Sequence, residues 1–313
     1  MSKYVISSSP HLRDNVSTTS IMRDVCIALL PAAVAGVLFF GYRSAIILAL
    51  SVAAAVLSEW LYCKAAHCRN TIGDFSAVVT GMLLAMNLPS TVPYWMPVIG
   101  SVIAILLCKM IFGGIGQNFI NPALAARAIL ALSWASLMNT FATPAFGNLA
   151  GVDAVASATP IGAAAGTYTL GQLFLGNIPG TIGETCKLAL LIGAAYLFYK
   201  KVITGHIPVA FIGTFAVCYL LKTGFDVNAT LAQLLSGGLI LGAFFMATDY
   251  SSSPATAKGK IVFGIGCGLL LFIFRACKKT PAEWCSYAIL LMNVCSPLIE
   301  RVTGNKSFGE VKK

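Results

Sequence analysis

Residues 24–42 read Asp24-Val-Cys-Ile-Ala-Leu-Leu-Pro-Ala-Ala-Val-Ala-Gly-Val-Leu-Phe-Phe-Gly-Tyr42, and residues 44–63 continue Ser44-Ala-Ile-Ile-Leu-Ala-Leu-Ser-Val-Ala-Ala-Ala-Val-Leu-Ser-Glu-Trp-Leu-Tyr-Cys63. A helix that crosses a bilayer needs about 20 predominantly apolar residues, and each stretch supplies them with almost no charge. The pattern recurs along the chain. Candidate spans fall near 24–42, 44–63, 75–89, 94–112, 122–139, 185–200, 206–222, 230–248, 260–276 and 284–300. Hydrophobic residues make up 58% of the 313 and charged residues only 10%, with a mean hydropathy of +0.83. Soluble domains carry roughly 25% charged residues because their surfaces need them. This chain cannot cover itself with polar groups, so its exterior must face lipid. The expected fold is all-α, a polytopic membrane protein of about ten transmembrane helices.

Working outward from the spans gives five segments: a leader at 1–23, a membrane unit at 24–139, a connection at 140–184, a second membrane unit at 185–302 and a tail at 303–313. The first apolar run begins only near Val25, so no removable signal peptide is expected. The two membrane units echo each other. Thr80-Gly-Met-Leu-Leu-Ala-Met-Asn-Leu-Pro89 and Gly238-Leu-Ile-Leu-Gly-Ala-Phe-Phe-Met-Ala-Thr-Asp249 are both short apolar runs that end in polar or helix-stopping residues. Five spans per unit would reverse the second relative to the first, giving two inverted five-helix repeats. In such proteins, interrupted helices at matching positions point to a binding site.

Charge sets the topology. With the N-terminus placed in the cytoplasm, fourteen of the 21 Lys and Arg residues fall on the cytoplasmic side and five outside, with Arg127 and Lys187 inside spans. The positive-inside rule then places both termini in the cytoplasm. The net charge of +10 is scattered between apolar runs and forms no stripe with interleaved aromatics, so nucleic acid is not an expected partner; the lipid membrane is. The 140–184 connection lies outside in this arrangement and contains no Lys or Arg. The ten cysteines sit mostly in apolar runs without a Cys-x-x-Cys, as small buried residues do. A cluster held by this chain alone is therefore not expected.

Gly113-Gly-Ile-Gly116 lacks the strand and spacing of a dinucleotide fingerprint. It reads as a turn ahead of a helix capped by Asn121 with Pro122 at the first helical position, a place where free N–H groups can also face a cofactor. Among the acids in or beside spans, Glu59 and Asp74 are expected to pair with nearby cations or helix ends. Asp249, at the second interruption, is open between that reading and a place on a cation path.

Three stretches carry a resemblance: Ser7-Ser-Ser-Pro-His-Leu-Arg13 with Ser20-Ile-Met-Arg-Asp-Val25, then Phe112-Gly-Gly-Ile-Gly-Gln-Asn-Phe-Ile-Asn-Pro-Ala123, then Phe244-Phe-Met-Ala-Thr-Asp-Tyr-Ser-Ser-Ser-Pro254. Together they resemble the NqrB/RnfD family of membrane subunits over nearly the whole chain. The resemblance implies a multi-pass subunit of the bacterial inner membrane, within an Rnf-type complex. Such a complex couples electron transfer between ferredoxin and NAD to translocation of Na⁺ or H⁺. It implies as partners the other subunits of that complex, including the second FMN subunit and the iron–sulfur subunits, and a flavin transferase. It further implies a covalent FMN on a threonine hydroxyl within Asp-x-x-Ser/Thr-Gly-Ala-Thr, and in some members a non-covalent riboflavin. Here Asp153-Ala-Val-Ala-Ser-Ala-Thr159 stands in that place, with Ala156 and Ser157 where the motif has Ser or Thr and then Gly. The implied flavin contacts are Thr159 as the phosphoester anchor with Asp153, Ser157 and Ala158 around it, Asn121 at the helix cap after the glycine-rich turn, and Thr248 and Asp249 at the second interruption. No residue is expected to be catalytic on its own. The rival expectation is a secondary transporter or channel built on the same inverted repeat, which would carry no flavin and would move solute without redox partners.

Overall fold

The structure is a computed structural model. It describes residues 16–68, 70–144, 146–147, 161, 168–277 and 284–304. Among the described residues, helices account for the architecture and no β-strand forms; an isolated antiparallel bridge joins Pro89 and Thr181. The helices are α1 (Thr18–Phe40), α2 (Tyr42–Ala65), α3 (Ser76–Met86), α4 (Trp95–Ile105), α5 (Pro122–Ser133), α6 (Ala135–Met138), α7 (Leu170–Leu175), α8 (Lys187–Tyr199), α9 (His206–Lys222), α10 (Val227–Leu234), α11 (Leu239–Leu241), α12 (Ala257–Ala276) and α13 (Cys285–Thr303). Single π turns extend α4 over Leu106–Met110 and α11 over Gly242–Met246.

Local chemistry explains the ends. Ser17 caps α1, its hydroxyl accepting from the Ser20 N–H at 3.1 Å while Ser20 reaches back to the Ser17 N–H at 3.0 Å. That reciprocal pair satisfies two N–H groups the helix leaves open. Gly41, at φ 74°, reverses the chain between α1 and α2 in a conformation that a side chain would strain.

All ten expected spans coincide with a helix or a helix pair. Three of them, α1, α2 and α12, are individually long and apolar enough to cross a membrane. The 230–248 span is instead a pair, α10 with α11 and its π turn, bent by 65°. The spans at 75–89, 94–112, 122–139, 185–200 and 206–222 contain shorter apolar helices. The shortness of α3 has a local cause. Asn87 and Pro89 stop α3, and the end of the long connection folds in to complete it: Ile182 N–H donates to the Leu88 carbonyl at 3.1 Å and Gly183 N–H to the Met86 carbonyl at 2.8 Å. The described residues 178 and 181–185 are consequently buried. Irregular backbone at membrane depth is tolerated where protein supplies its hydrogen bonds.

The two units use the same packing plan. α2 lies against α4 as α9 lies against α12, and α4 against α5 as α12 against α13. The units meet like with like, α1 on α8 and α5 on α13, as a two-fold repeat of five spans would. Close approach depends on small residues, the usual device between helices in lipid. At Gly193 of α8 an added Cβ would sit 2.0 Å from the Ala28 carbonyl oxygen of α1. Polar pairs knit α2, α3 and α4: the Ser51 and Ser101 hydroxyls are 2.9 Å apart, and Ser51 donates to the Gly81 carbonyl at 2.8 Å. On α9, Phe211 and Phe215 are buried while Val209, Val217 and Leu221 are exposed. A helix apolar on every side belongs in lipid.

Candidate functional site

Two polar centres sit within this apolar bundle. The first gathers both helix interruptions. Asn121 caps α5, its side-chain oxygen accepting from the Ala123 N–H at 3.1 Å and the Leu124 N–H at 3.3 Å. Its amide nitrogen donates to the Met246 carbonyl at 3.2 Å, a group at the end of the second π turn. Asn87, at the first interruption, donates to the Leu83 carbonyl at 2.6 Å and points at the Met246 sulfur, 3.7 Å away. The turn before Asn121 takes positive φ at Gly113, Gly114 and Gly116, in agreement with its reading as a turn rather than a nucleotide loop.

The loop after the π turn closes the same region. Thr248 donates to the Phe244 carbonyl at 2.7 Å, and Asp249 accepts from the Ser251 and Ser252 hydroxyls at 2.9 and 3.0 Å. Burial pushes the Asp249 carboxyl above the usual carboxylate range, against the lowering effect of those hydroxyls and of Asn118. Oriented with its oxygen toward Asn121, the Asn293 amide accepts from the Asn121 N–H and donates to the Ser252 carbonyl, both at 3.2 Å. Asn121, Thr248 and Asp249, separated widely in sequence, therefore line one cavity of about 90 Å³ with Ser76, Thr80 and Lys109. That volume admits a few waters; pockets for organic ligands run from about 300 to 1,000 Å³. In this conformation the cavity does not fit a three-ring flavin.

Beside it lies a buried ion pair that sequence reasoning treated as separate residues. Lys109, swung inward by the first π turn, meets Glu59 at 2.6 Å and the Ser76 hydroxyl at 2.7 Å, and Thr71 donates to the other Glu59 oxygen. The expectation that Glu59 pairs with a cation is met.

The second centre joins the middle of α5 to the start of α8 and the end of α12, and it was missed. Glu184, Lys187, Arg127 and Arg275 are all buried. Arg127 donates to the Ser286 hydroxyl and lies 3.9 Å from Glu184. Lys187 donates to the Glu184 and Gly237 carbonyls, the latter at 2.9 Å. Arg275 donates to the Gln233 and Ser236 carbonyls at 2.7 and 2.9 Å and covers the Phe215 ring. The available signal was Arg127 and Lys187 inside apolar spans, where a charge is expensive. The flavin-motif residues Asp153, Ser157, Ala158 and Thr159 lie outside the described residues.

With this geometry in view, comparison with known proteins is decisive. Residues 5–309 match the model of the NQR2, RnfD, RnfE family. The chain belongs to that family. It is 48% identical over 315 residues to the D subunit of the Na⁺-translocating ferredoxin:NAD⁺ oxidoreductase complex of Acetobacterium woodii, covering 98% of this chain and 96% of the relative. It is 41% identical to the D subunit of the proton-translocating ferredoxin:NAD⁺ oxidoreductase complex of Clostridium ljungdahlii, with 98% and 96% covered. The D subunit of the ion-translocating oxidoreductase complex of Halorhodospira halophila is 33% identical, with 97% and 95% covered. As a member of the NQR2, RnfD, RnfE family the chain is a membrane protein, in keeping with its apolar helices.

Proposed function

We propose that this chain is the D subunit of a ferredoxin:NAD oxidoreductase complex that moves Na⁺ or H⁺ across the bacterial inner membrane, and that it carries FMN as a phosphoester on Thr159. The observation that carries the reading is similarity over 98% of the chain to two relatives bearing that subunit's name. The spacing of Asp153 and Thr159 supports the anchor. In this reading both termini are cytoplasmic, and the iron–sulfur and second FMN subunits are neighbours. On a flavin transferase the Thr159 hydroxyl oxygen loses its proton and attacks the flavin-side phosphate of a flavin pyrophosphate such as FAD, whose P–O–P bond breaks to release AMP. When bound, the flavin supplies exchange of one or two electrons. The chain's own part is to hold that group, exclude water with apolar helices and set the surrounding charge.

The test is flavin fluorescence of the denatured full-length chain from native membranes, followed by peptide mass spectrometry across residue 159. The expected result is FMN mass on Thr159, abolished in Thr159→Ala. FMN on Ser157 would move the anchor two residues, and an unmodified peptide throughout would refute the attachment.

A further inference from the structure

Two glycines of α12 bring it hard against α9. A Cβ on Gly264 would lie 2.7 Å from Ala210 Cβ, and one on Gly268 would lie 2.8 Å from the Phe211 carbonyl oxygen. Beside that seam the outer faces of the two helices leave an open groove of about 730 Å³, lined by Val209, Gly213, Thr214, Val217, Ile261 and Ile265. Its apolar walls are exposed, Val209 by 72% and Val217 by 56%, and nothing lies within 4 Å of a Cβ built on Gly213. From Gly205 to Cys218 the groove follows α9 for about 20 Å, and one leaflet of hydrocarbon is about 15 Å deep. A flexible chain of methylene groups suits such a channel.

One end of the groove is basic. A polar cavity of about 170 Å³ interleaves with it there: Thr204, Ile207 and Lys260 line the cavity, and Gly205, His206 and Ile261 line the groove. Lys201 and Lys260 both face this cavity, together with Thr204 and Ser253, and none of its described lining residues is acidic. The Tyr250 hydroxyl donates to the Val202 carbonyl and so ties the 201–204 loop to the loop before α12. Lys201 closes α8 at φ 56°, with its N–H on the Phe198 carbonyl and the Val202 N–H on the Leu197 carbonyl, each at 3.0 Å. Glycine is usual in that left-handed position, so the lysine is kept there at a backbone cost. Lys258 and Lys260 fall in the first turn of α12, where the helix dipole favours anions over cations. The complement of this arrangement is an anion with an apolar tail.

We propose that the cavity and groove together bind an anionic phospholipid, with its phosphate between Lys201 and Lys260 and one acyl chain along the seam of α9 and α12. Basic pockets between transmembrane helices hold such headgroups. The lipid has a structural consequence as well. Val202, Ile203 and Thr248 line both this cavity and that of the first polar centre, so an occupied site steadies the loop that carries Thr248 and Asp249. The site requires membrane placement alone and stands whether or not the chain carries flavin.

The experiment is native mass spectrometry of the full-length chain in mild detergent, with phosphatidylglycerol or phosphatidylcholine added at equal concentration. The wild type is expected to retain phosphatidylglycerol by about tenfold over phosphatidylcholine. One lysine beside a phosphate is worth about fivefold in binding, so Lys260→Gln is expected to lose about fivefold and Lys201→Gly with Lys260→Gln about 25-fold. Lys201→Gly also relieves the left-handed turn. It is therefore expected to raise the melting temperature of the delipidated chain, which separates lost binding from lost folding. Gly213→Leu fills the groove and is expected to lower phosphatidylglycerol retention with both lysines present, whereas Lys222→Gln, at the far end of α9, is expected to change nothing. Equal retention of the two lipids by the wild type would overturn the site. So would unchanged retention in Gly213→Leu, or a loss in Lys222→Gln as large as that in Lys260→Gln. Displacement of phosphatidylglycerol by inorganic phosphate at equal concentration would assign the cavity to a free anion and overturn the lipid. In native membranes, a photo-cross-linker at position 213 is expected to capture phospholipid; capture of a protein segment there instead overturns the proposal.

Discussion

Replacing Glu59 by glutamine strands the Lys109 ammonium in the bundle. The two groups are 2.6 Å apart, with side-chain exposures of 0% for Glu59 and 4% for Lys109, so water cannot take the carboxylate's place. Ser76 remains as a partner at 2.7 Å, but a hydroxyl does not neutralise a charge. Removing one partner of a buried pair typically costs about 3–5 kcal/mol. At about 2 °C of Tm per kcal/mol for a chain of this size, Glu59→Gln is expected to lower the detergent melting temperature by about 6–10 °C. The assay is thermal melting followed by size-exclusion fluorescence at constant detergent and lipid. The same logic predicts that Glu59→Gln with Lys109→Met, which removes both charges, recovers most of the loss, because a neutral pair of similar volume avoids the cost of desolvating a charge. A Glu59→Gln protein that melts with the wild type would refute the buried-pair reasoning. So would a double variant no better than the single one.

Asn121→Ala removes a helix cap worth about 1 kcal/mol and leaves the Met246 carbonyl without its donor, a further loss of about 1–3 kcal/mol. Asn121→Asp keeps the cap but turns an acceptor toward that carbonyl, so both variants are expected to melt below the wild type and to exchange backbone amides faster at 242–249. Gly193→Leu forces a side chain into the 2.0 Å approach to Ala28 and is expected to abolish monodisperse protein, whereas Gly213→Leu, with open space around its Cβ, is expected to purify normally.

What the sequence made legible, and what it did not, divides along physical lines. The spans could be read because apolar runs of bilayer length leave few alternatives. The Asn121 cap with Pro122 could be read because caps are local. Asn121 at a helix cap and Thr248 and Asp249 at the second interruption were singled out, and the fold brings them to one cavity because the units meet at α5 and α13. Lys109 could not be placed, since a helix of regular pitch puts it at a cytoplasmic edge; the π turn at Leu106–Met110 turns it inward to Glu59. Glu184 could not be placed either. It reads as a lone acid in an external connection, yet the bonds from Ile182 and Gly183 to the broken end of α3 draw it into the bundle. Both failures come from non-local pairing, which composition does not encode.

The two polar centres share their supports. On α5, Asn121 caps the helix in the first centre and Arg127 belongs to the second, about 9 Å apart at helical rise. On the other unit, Gly238 abuts Glu184, where a Cβ would lie 2.3 Å from the carboxylate. Met246, at the end of the same run, takes the Asn121 bond, so about 12 Å of α11 and its π turn spans both centres. A π turn leaves the backbone less uniformly bonded than an α-helix and recurs at functional positions. Apolar residues alone would have made α5 and α11 ordinary packing elements. Asn121 at the start of α5 and Met246 at the π turn bond to each other while both helices stay buried, which lowers the cost of holding polar groups inside lipid.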